Sequence, residues 1–160
     1  MNIRIESQAL DALFLQARTH NAWFDKPVDD AQLHRIWDLA RMGPTSANCS
    51  PMRVVFVKSP EAKARLLPAL MEGNRAKVLT APVTAIFGND SQFFELLPKL
   101  FPHTDARAWF AGPGKEGAAA TTAFRNGTLQ AAYFMLAARA LGLDCGPMSG
   151  FDNALVDQEF

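Results

Sequence analysis

Cysteine, histidine and net charge are all scarce in this 160-residue chain, and each shortage removes a class of function. The two cysteines, Cys49 and Cys145, lie far apart and form no CxxC pair. That count argues against a disulfide framework and fits a reducing compartment. Three histidines, His20, His34 and His103, have no ligand spacing, so no metal centre is expected. Lys plus Arg and Asp plus Glu both number 16, giving zero formal net charge. Phosphate-backbone binding needs a basic surplus on one face, which makes nucleic acid a poor partner. Near-zero charge also leaves self-association unopposed. The longest strongly apolar run, Ala131 to Ala138, is far short of the roughly 20 residues that span a bilayer. Met1 to Leu15 is interrupted by Arg4, Glu6 and Asp11 and has no signal-peptide h-region. A cytoplasmic protein without a membrane partner is expected. There is no internal repeat and no low-complexity tract.

What is present is an ordinary globular composition. Apolar residues make up 49%, near the globular average of about 45–50%. A chain of this length is expected to form a single domain over residues 1–160. Apolar periodicity predicts helices over Ser7–Arg18 and from Asp29 or Asp30 to about Met42. Arg53–Lys58 reads as a strand. Ser59 caps a helix with Pro60 at its first position, and Pro68 must end or kink it. A short helix over Asn74–Thr80, a buried strand over Pro82–Gly88 and a helical turn over Ser91–Leu97 follow. Phe101–Gly117 reads as irregular, and Thr121–Leu141 as the strongest helix. Its Ala131–Ala138 stretch is apolar all round, so burial on every side is expected, in the core or at a subunit interface. Asp152 caps a last helix. The element order gives an α/β or α+β fold, a small central sheet surrounded by helices.

Several motifs read more plainly as structure than as chemistry. Gly112-Pro-Gly114-Lys-Glu-Gly117 fits the GxGxxG string but follows no convincing strand. About 20 residues on, where an acidic residue is required, stands the apolar Ala131–Ala138 run. A mobile loop is the better reading. His103-Thr-Asp105 reads as a solvated loop, since catalytic triads are spatial rather than sequential. Cys49 has no evident partner to lower its pKa and reads as a packing residue. Phe93, Phe94, Phe101 and Phe110 read as core, with Phe124 and Phe134 on the buried helix.

Four separated patches are richer in small polar residues than their positions require. Arg18-Thr-His-Asn21 offers a forked guanidinium and a hydroxyl, a pair suited to phosphate. Gly43-Pro-Thr-Ser-Ala-Asn-Cys-Ser-Pro51 holds three hydroxyls and an amide where a tight connection would serve. Asn74 and Lys77, at i and i+3, put an amide and a cation on one helix face. Cys145-Gly-Pro-Met-Ser-Gly150 is a turn that exposes backbone N–H groups. Singly each is weak. Together they ask for a ligand with a phosphate, a flat imide ring and an electron-rich edge, which describes FMN.

At these residues the chain resembles the nitroreductase family. Ala17-Arg-Thr-His-Asn-Ala-Trp23 stands where the family has Arg-Arg-Ser-x-Arg-x-Phe. Gly43–Pro51 stands for its Ala-Pro-Ser-x-x-Asn-x-Gln-Pro loop. Asn74 and Lys77 match its flavin-edge pair, and Gly146-Pro-Met-Ser-Gly-Phe151 its Pro-x-x-Gly-Phe turn. Together with Leu79-Thr-Ala-Pro-Val-Thr-Ala85, these stretches are similar to the branch that reduces malonic semialdehyde in pyrimidine utilisation. The resemblance covers essentially the whole chain. Asn21 departs from the pattern by replacing the motif's second cation. The family pattern also continues for a few dozen residues past the position of Phe160, and this sequence stops before them.

The resemblance implies a homodimer with two FMN sites at its interface, the long helix between the subunits. NAD(P)H reduces FMN and leaves, and a small aldehyde, nitro compound or quinone takes the electrons. The implied reaction is malonic semialdehyde to 3-hydroxypropionate; the alternatives are a general nitro, quinone or flavin reductase, or a flavin-binding module without turnover. Arg18 and Thr19 are the expected phosphate contacts, with Asn21 in the same motif. Asn74 and Lys77 face the N3 and O2 edge. Pro44, Thr45, Ser46 and Asn48 reach the FMN held mainly by the partner subunit, and Pro147, Ser149 and Gly150 lie by N5. No side-chain acid stands out, so water is the expected proton source. Arg107, in the irregular loop, is the candidate anchor for a substrate carboxylate.

Overall fold

The computed structural model describes residues 4–160. Among them are seven α-helices and a two-stranded sheet, an α+β arrangement. In chain order they are α1 (Ser7–Leu10), α2 (Asp30–Ala40), β1 (Met52–Val57), α3 (Pro60–Leu66), α4 (Glu72–Thr80), β2 (Thr84–Asn89), α5 (Leu97–Leu100), α6 (Glu116–Ala140) and α7 (Asn153–Glu159). Strands β1 and β2 are hydrogen-bonded neighbours. No helix among the described residues is long and apolar enough to cross a membrane.

Local chemistry sets these boundaries. The Asp29 carboxylate accepts from the Gln32 N–H at 2.6 Å and so caps α2. The Ser59 hydroxyl accepts from the Ala62 N–H at 3.1 Å, with Pro60 opening α3. Pro68 lacks an N–H, and beyond Leu66 the chain continues only as a 3₁₀ turn over Leu67–Ala69. Asp152 caps α7 through the Leu155 N–H at 3.1 Å.

The chain forms two compact units. The first comprises Met1–His34, Val55–Ile86 and Ala138–Phe160. Its core gathers Val57, Leu66, Leu70, Val78 and Val156, with Met148 and Phe151 packed against them. The second comprises Arg35–Val54 and Phe87–Ala137. Its core gathers Cys49, Phe93, Leu97, Ala106, Ala119 and Ala123. Phe94, Phe101 and Phe110 pack on that cluster, and the Phe93 and Phe110 rings meet edge to face at 5.1 Å. The phenylalanine-rich segment is therefore core, and Cys49 a packing residue.

Two helices differ from expectation. The segment expected as one helix over Ser7–Arg18 keeps α geometry only to Leu10 and continues as a π-helical turn over Asp11–Leu15. Leu10 and Phe14 of its apolar face are exposed and Leu13 and Ala17 only half-buried, so packing against the other described residues does little to regularise it. Helix α6 starts at Glu116 rather than Thr121, because Ala118, Ala119 and Ala120 are strong helix formers. Nor is it buried on every side. Phe124 is 67% exposed, and Leu129 and Tyr133 are exposed as well, whereas Ala123, Phe134, Ala137 and Ala138 are buried. An apolar face that no other described residue covers has the same composition as a core face.

Candidate functional site

The first unit brings three of the four polar patches together. Thr19 and Cys145 form a parallel β-bridge, and the His20 N–H donates to the Cys145 carbonyl at 3.1 Å. This lays Arg18–Asn21 alongside the Cys145–Gly150 turn. The packing is close. A Cβ on Gly146 would lie 2.3 Å from the His20 carbonyl oxygen and 2.9 Å from the Trp23 ring, so only glycine fits.

The Asn74–Lys77 patch joins the same turn from α4. The Asn74 side-chain N–H donates to the Gly150 carbonyl at 2.9 Å, and the Met71 N–H donates to that oxygen at 3.0 Å. A Cβ on Gly150 would lie 2.7 Å from Asn74 Nδ2 and 3.1 Å from Met71 Sδ. Lys77 Nζ stands 3.4 Å from Asn74 Oδ1, and the Trp23 indole N–H donates to the Lys77 carbonyl at 3.0 Å. An antiparallel bridge between Leu70 and Phe151 and the Asp152 N–H on the Ala69 carbonyl tie the far side of the turn down.

These contacts leave capacity for a ligand. One amide hydrogen and an oxygen lone pair of Asn74 stay available beside the Lys77 cation. Arg18 is exposed and uses Nη1 on the Leu15 and Ala17 carbonyls at 2.9 and 2.7 Å. A guanidinium has five N–H donors, so others stay available to an anion. Thr19, Asn21, Pro147 and Ser149 are all exposed. Cys145 is half-buried; burial pushes its thiol pKa up, which makes it a poor nucleophile.

The fourth patch, Gly43–Pro51, belongs to the second unit. Pro44, Ser46 and Asn48 are exposed and Thr45 is half-buried. Three non-glycine residues take left-handed backbone here: Ala47 at φ 49°, Asn48 at φ 52° and Ser50 at φ 39°. The loop is held from inside and from α6. The Thr45 hydroxyl accepts from the Ser50 N–H at 3.2 Å, and Asn48 Nδ2 donates to the Leu100 carbonyl at 2.9 Å. Asn126 Oδ1 accepts from the Ser46 N–H at 2.8 Å, while Asn126 Nδ2 donates to the Thr122 carbonyl at 2.8 Å. Gln130 Oε1 accepts from the Met52 N–H at 2.9 Å. At the loop's start, a Cβ on Gly43 would lie 2.6 Å from the Tyr133 ring. Burial pushes the Cys49 thiol pKa up, against weaker opposing hydrogen bonds led by Thr45.

Arg107, also in the second unit, lies on an exposed 3₁₀ turn, Arg107–Trp109. Glu95 grips its guanidinium with two hydrogen bonds of 2.7 Å. That fork holds the Glu95 carboxyl below, and the Arg107 guanidinium above, its usual pKa. His103 is exposed and sits edge-on to Phe101, and Asp105 accepts from the Ala108 N–H, as a structured loop requires. Sequence reading gave no role to Trp23, Met71, Asn126, Gln130 or Tyr133. Trp23 carried a signal, since it closes the Arg18 patch; polar residues four apart in an apolar helix were the signal for Asn126 and Gln130.

Comparison with known proteins gives this geometry a context. The Nitroreductase family model matches residues 15–160. A Burkholderia lata protein with the provisional name NADH dehydrogenase/NAD(P)H nitroreductase is 68% identical over 156 residues, covering 98% of this chain and 79% of that protein. One of the same name from Stenotrophomonas maltophilia is 59% identical over 160 residues, covering all of this chain and 81% of the other. Among solved structures, a provisionally named nitroreductase of Bacillus subtilis superposes with a TM-score of 0.84 at 22% identity, over 96% of this chain and 81% of that one. Another from Exiguobacterium sibiricum, determined in complex with FMN, gives 0.82 at 18% identity, over 99% and 82%. This chain belongs to the nitroreductase family, and is an oxidoreductase of that family.

Proposed function

We propose that the chain is an FMN-dependent NAD(P)H oxidoreductase, working in the cytoplasm as a homodimer and reducing malonic semialdehyde to 3-hydroxypropionate. One observation carries the flavin reading: the Arg18 patch, the Asn74–Lys77 pair and the Gly146–Gly150 turn meet in one unit. The donor set suits FMN. Two glycines without room for a Cβ bring backbone against its neighbours, and a cation stands beside an amide that both donates and accepts. When bound, FMN supplies the hydride chemistry.

The chain's own residues position and polarise. Arg18 and Thr19 would hold the phosphate, with Asn21 beside them. Asn74 and Lys77 would take the N3 and O2 edge, and Pro147, Ser149 and Gly150 would line N5. Pro44, Thr45, Ser46 and Asn48 would reach the FMN of the partner subunit. The exposed apolar face of α6 supports the dimer. An obligate interface buries about 2,000 Å² or more, and sedimentation of a monodisperse monomer would reject it.

A general nitro or quinone reductase is a second reading, favoured by the Glu95 fork that already occupies Arg107. The flavin reading is tested by the absorbance spectrum and flavin content of the purified protein. Near one FMN per chain is expected; protein that takes up no FMN on titration refutes it.

A further inference from the structure

We infer that Asn126 and Gln130 are positioning residues that hold the Gly43–Pro51 loop in its ligand-ready shape. The inference rests on the proposal that this loop reaches FMN. The two amides lie one turn apart on α6 and are 3% and 1% exposed. Each points its oxygen at a backbone N–H at one end of the loop, Ser46 at 2.8 Å and Met52 at 2.9 Å. Tyr133, one turn further along α6, packs its ring where a Cβ of Gly43 would stand.

Two observations give this arrangement a purpose beyond filling space. The loop carries left-handed backbone at Ala47, Asn48 and Ser50. Strain of that kind persists only where the surroundings over-determine it, and it gathers at ligand clamps. Meanwhile Gln130 Nε2 is buried with no hydrogen-bond partner among the described residues. An apolar side chain would avoid that cost, so what this residue contributes here is its oxygen. With the loop ordered on folding, its ordering cost is not charged to cofactor binding.

Gln130→Met removes the acceptor at similar volume, whereas Gln130→Glu, compared at mildly acidic pH where burial keeps its carboxyl protonated, keeps an oxygen acceptor without adding a charge. FMN affinity is read by quenching of flavin fluorescence, and loop order by amide hydrogen exchange at Ser46 and Met52. Gln130→Met is expected to lose protection at both amides and to weaken FMN about tenfold, with Gln130→Glu restoring most of it. FMN affinity within about twofold of the parent in Gln130→Met, or equal losses in both variants, overturns the inference. If Gln130→Met does not fold, Asn126→Leu against the parent tests the clamp at its other end, since it removes the acceptor of the Ser46 N–H, and unchanged exchange at Ser46 overturns the inference. A parent protein that binds no FMN refutes the flavin reading, and the exchange arm then decides alone. Protection lost in Gln130→Met upholds the clamp, and protection unchanged overturns it.

Discussion

Gly150→Ala is the sharpest probe of how the site is assembled. Gly150 has no left-handed φ, so alanine meets no backbone penalty there. The cost is contact alone. The new methyl would stand 2.7 Å from Asn74 Nδ2 and 3.1 Å from Met71 Sδ. Met71 is flexible and can move, but Asn74 can retreat only by giving up its 2.9 Å bond to the Gly150 carbonyl. Overpacking of this kind costs about 1–3 kcal/mol, and losing one neutral hydrogen bond about 0.5–1.5 kcal/mol. The two overlap, so about 2 kcal/mol in all is expected. Gly73→Ala is the control. It lies on the same helix with nothing within 4 Å, and should stabilise by about 0.5–1 kcal/mol through helix propensity. Urea unfolding reads both stabilities, and FMN titration reads whether Asn74 has left its place. If Gly150→Ala matches the parent in stability and FMN affinity, the contacts described between α4 and the Gly146–Gly150 turn are not those that hold the site.

Other outcomes follow from the same geometry. Arg18→Ala should weaken FMN by about 10- to 100-fold, the value of a charge-assisted hydrogen bond, while Lys77→Ala should chiefly lower the flavin's reduction potential. Equal affinity losses with no potential shift would refute that division. Arg107→Ala should lower kcat/KM for malonic semialdehyde and spare an uncharged quinone, while Glu95→Gln, which frees the guanidinium, should favour the acid substrate; parallel changes on both substrates reject Arg107 as the carboxylate anchor. Burial raises the Cys49 pKa above its unfolded value, so the stability it contributes is fully present below the ordinary thiol pKa and is lost as pH rises through the folded value. Cys49 should resist iodoacetamide near pH 7 in the native protein; rapid native-state alkylation there would contradict its burial.

How much of this was legible in the sequence differs from element to element. Capped helices were plain, since Asp29, Ser59 and Asp152 announce their N-termini by chemistry acting within three residues. The strands were plain from Val-Val-Phe-Val and Val-Thr-Ala-Ile-Phe. Four polar patches were named from sequence, and the structure joins three of them through contacts such as Asn74 on Gly150, 76 residues apart, which no local pattern encodes. The π-helical turn at Asp11–Leu15 has the composition of an ordinary helix. Phe124 was expected inside because apolar composition cannot separate a face covered by the chain from one left for another surface. Asn126 and Gln130 stayed hidden because their value lies in the two backbone N–H groups they meet.

The central claim is that Arg18, Asn74, Lys77 and the Gly146–Gly150 turn form a flavin site that turns over. It is tested most directly by the two half-reactions, followed anaerobically by absorbance. FMN-loaded protein should bleach on addition of NADH or NADPH and, after the nicotinamide is removed, regain its oxidised spectrum on addition of malonic semialdehyde, with 3-hydroxypropionate formed in step. A flavin that binds but never bleaches with either nicotinamide would contradict the account and leave the chain a flavin carrier.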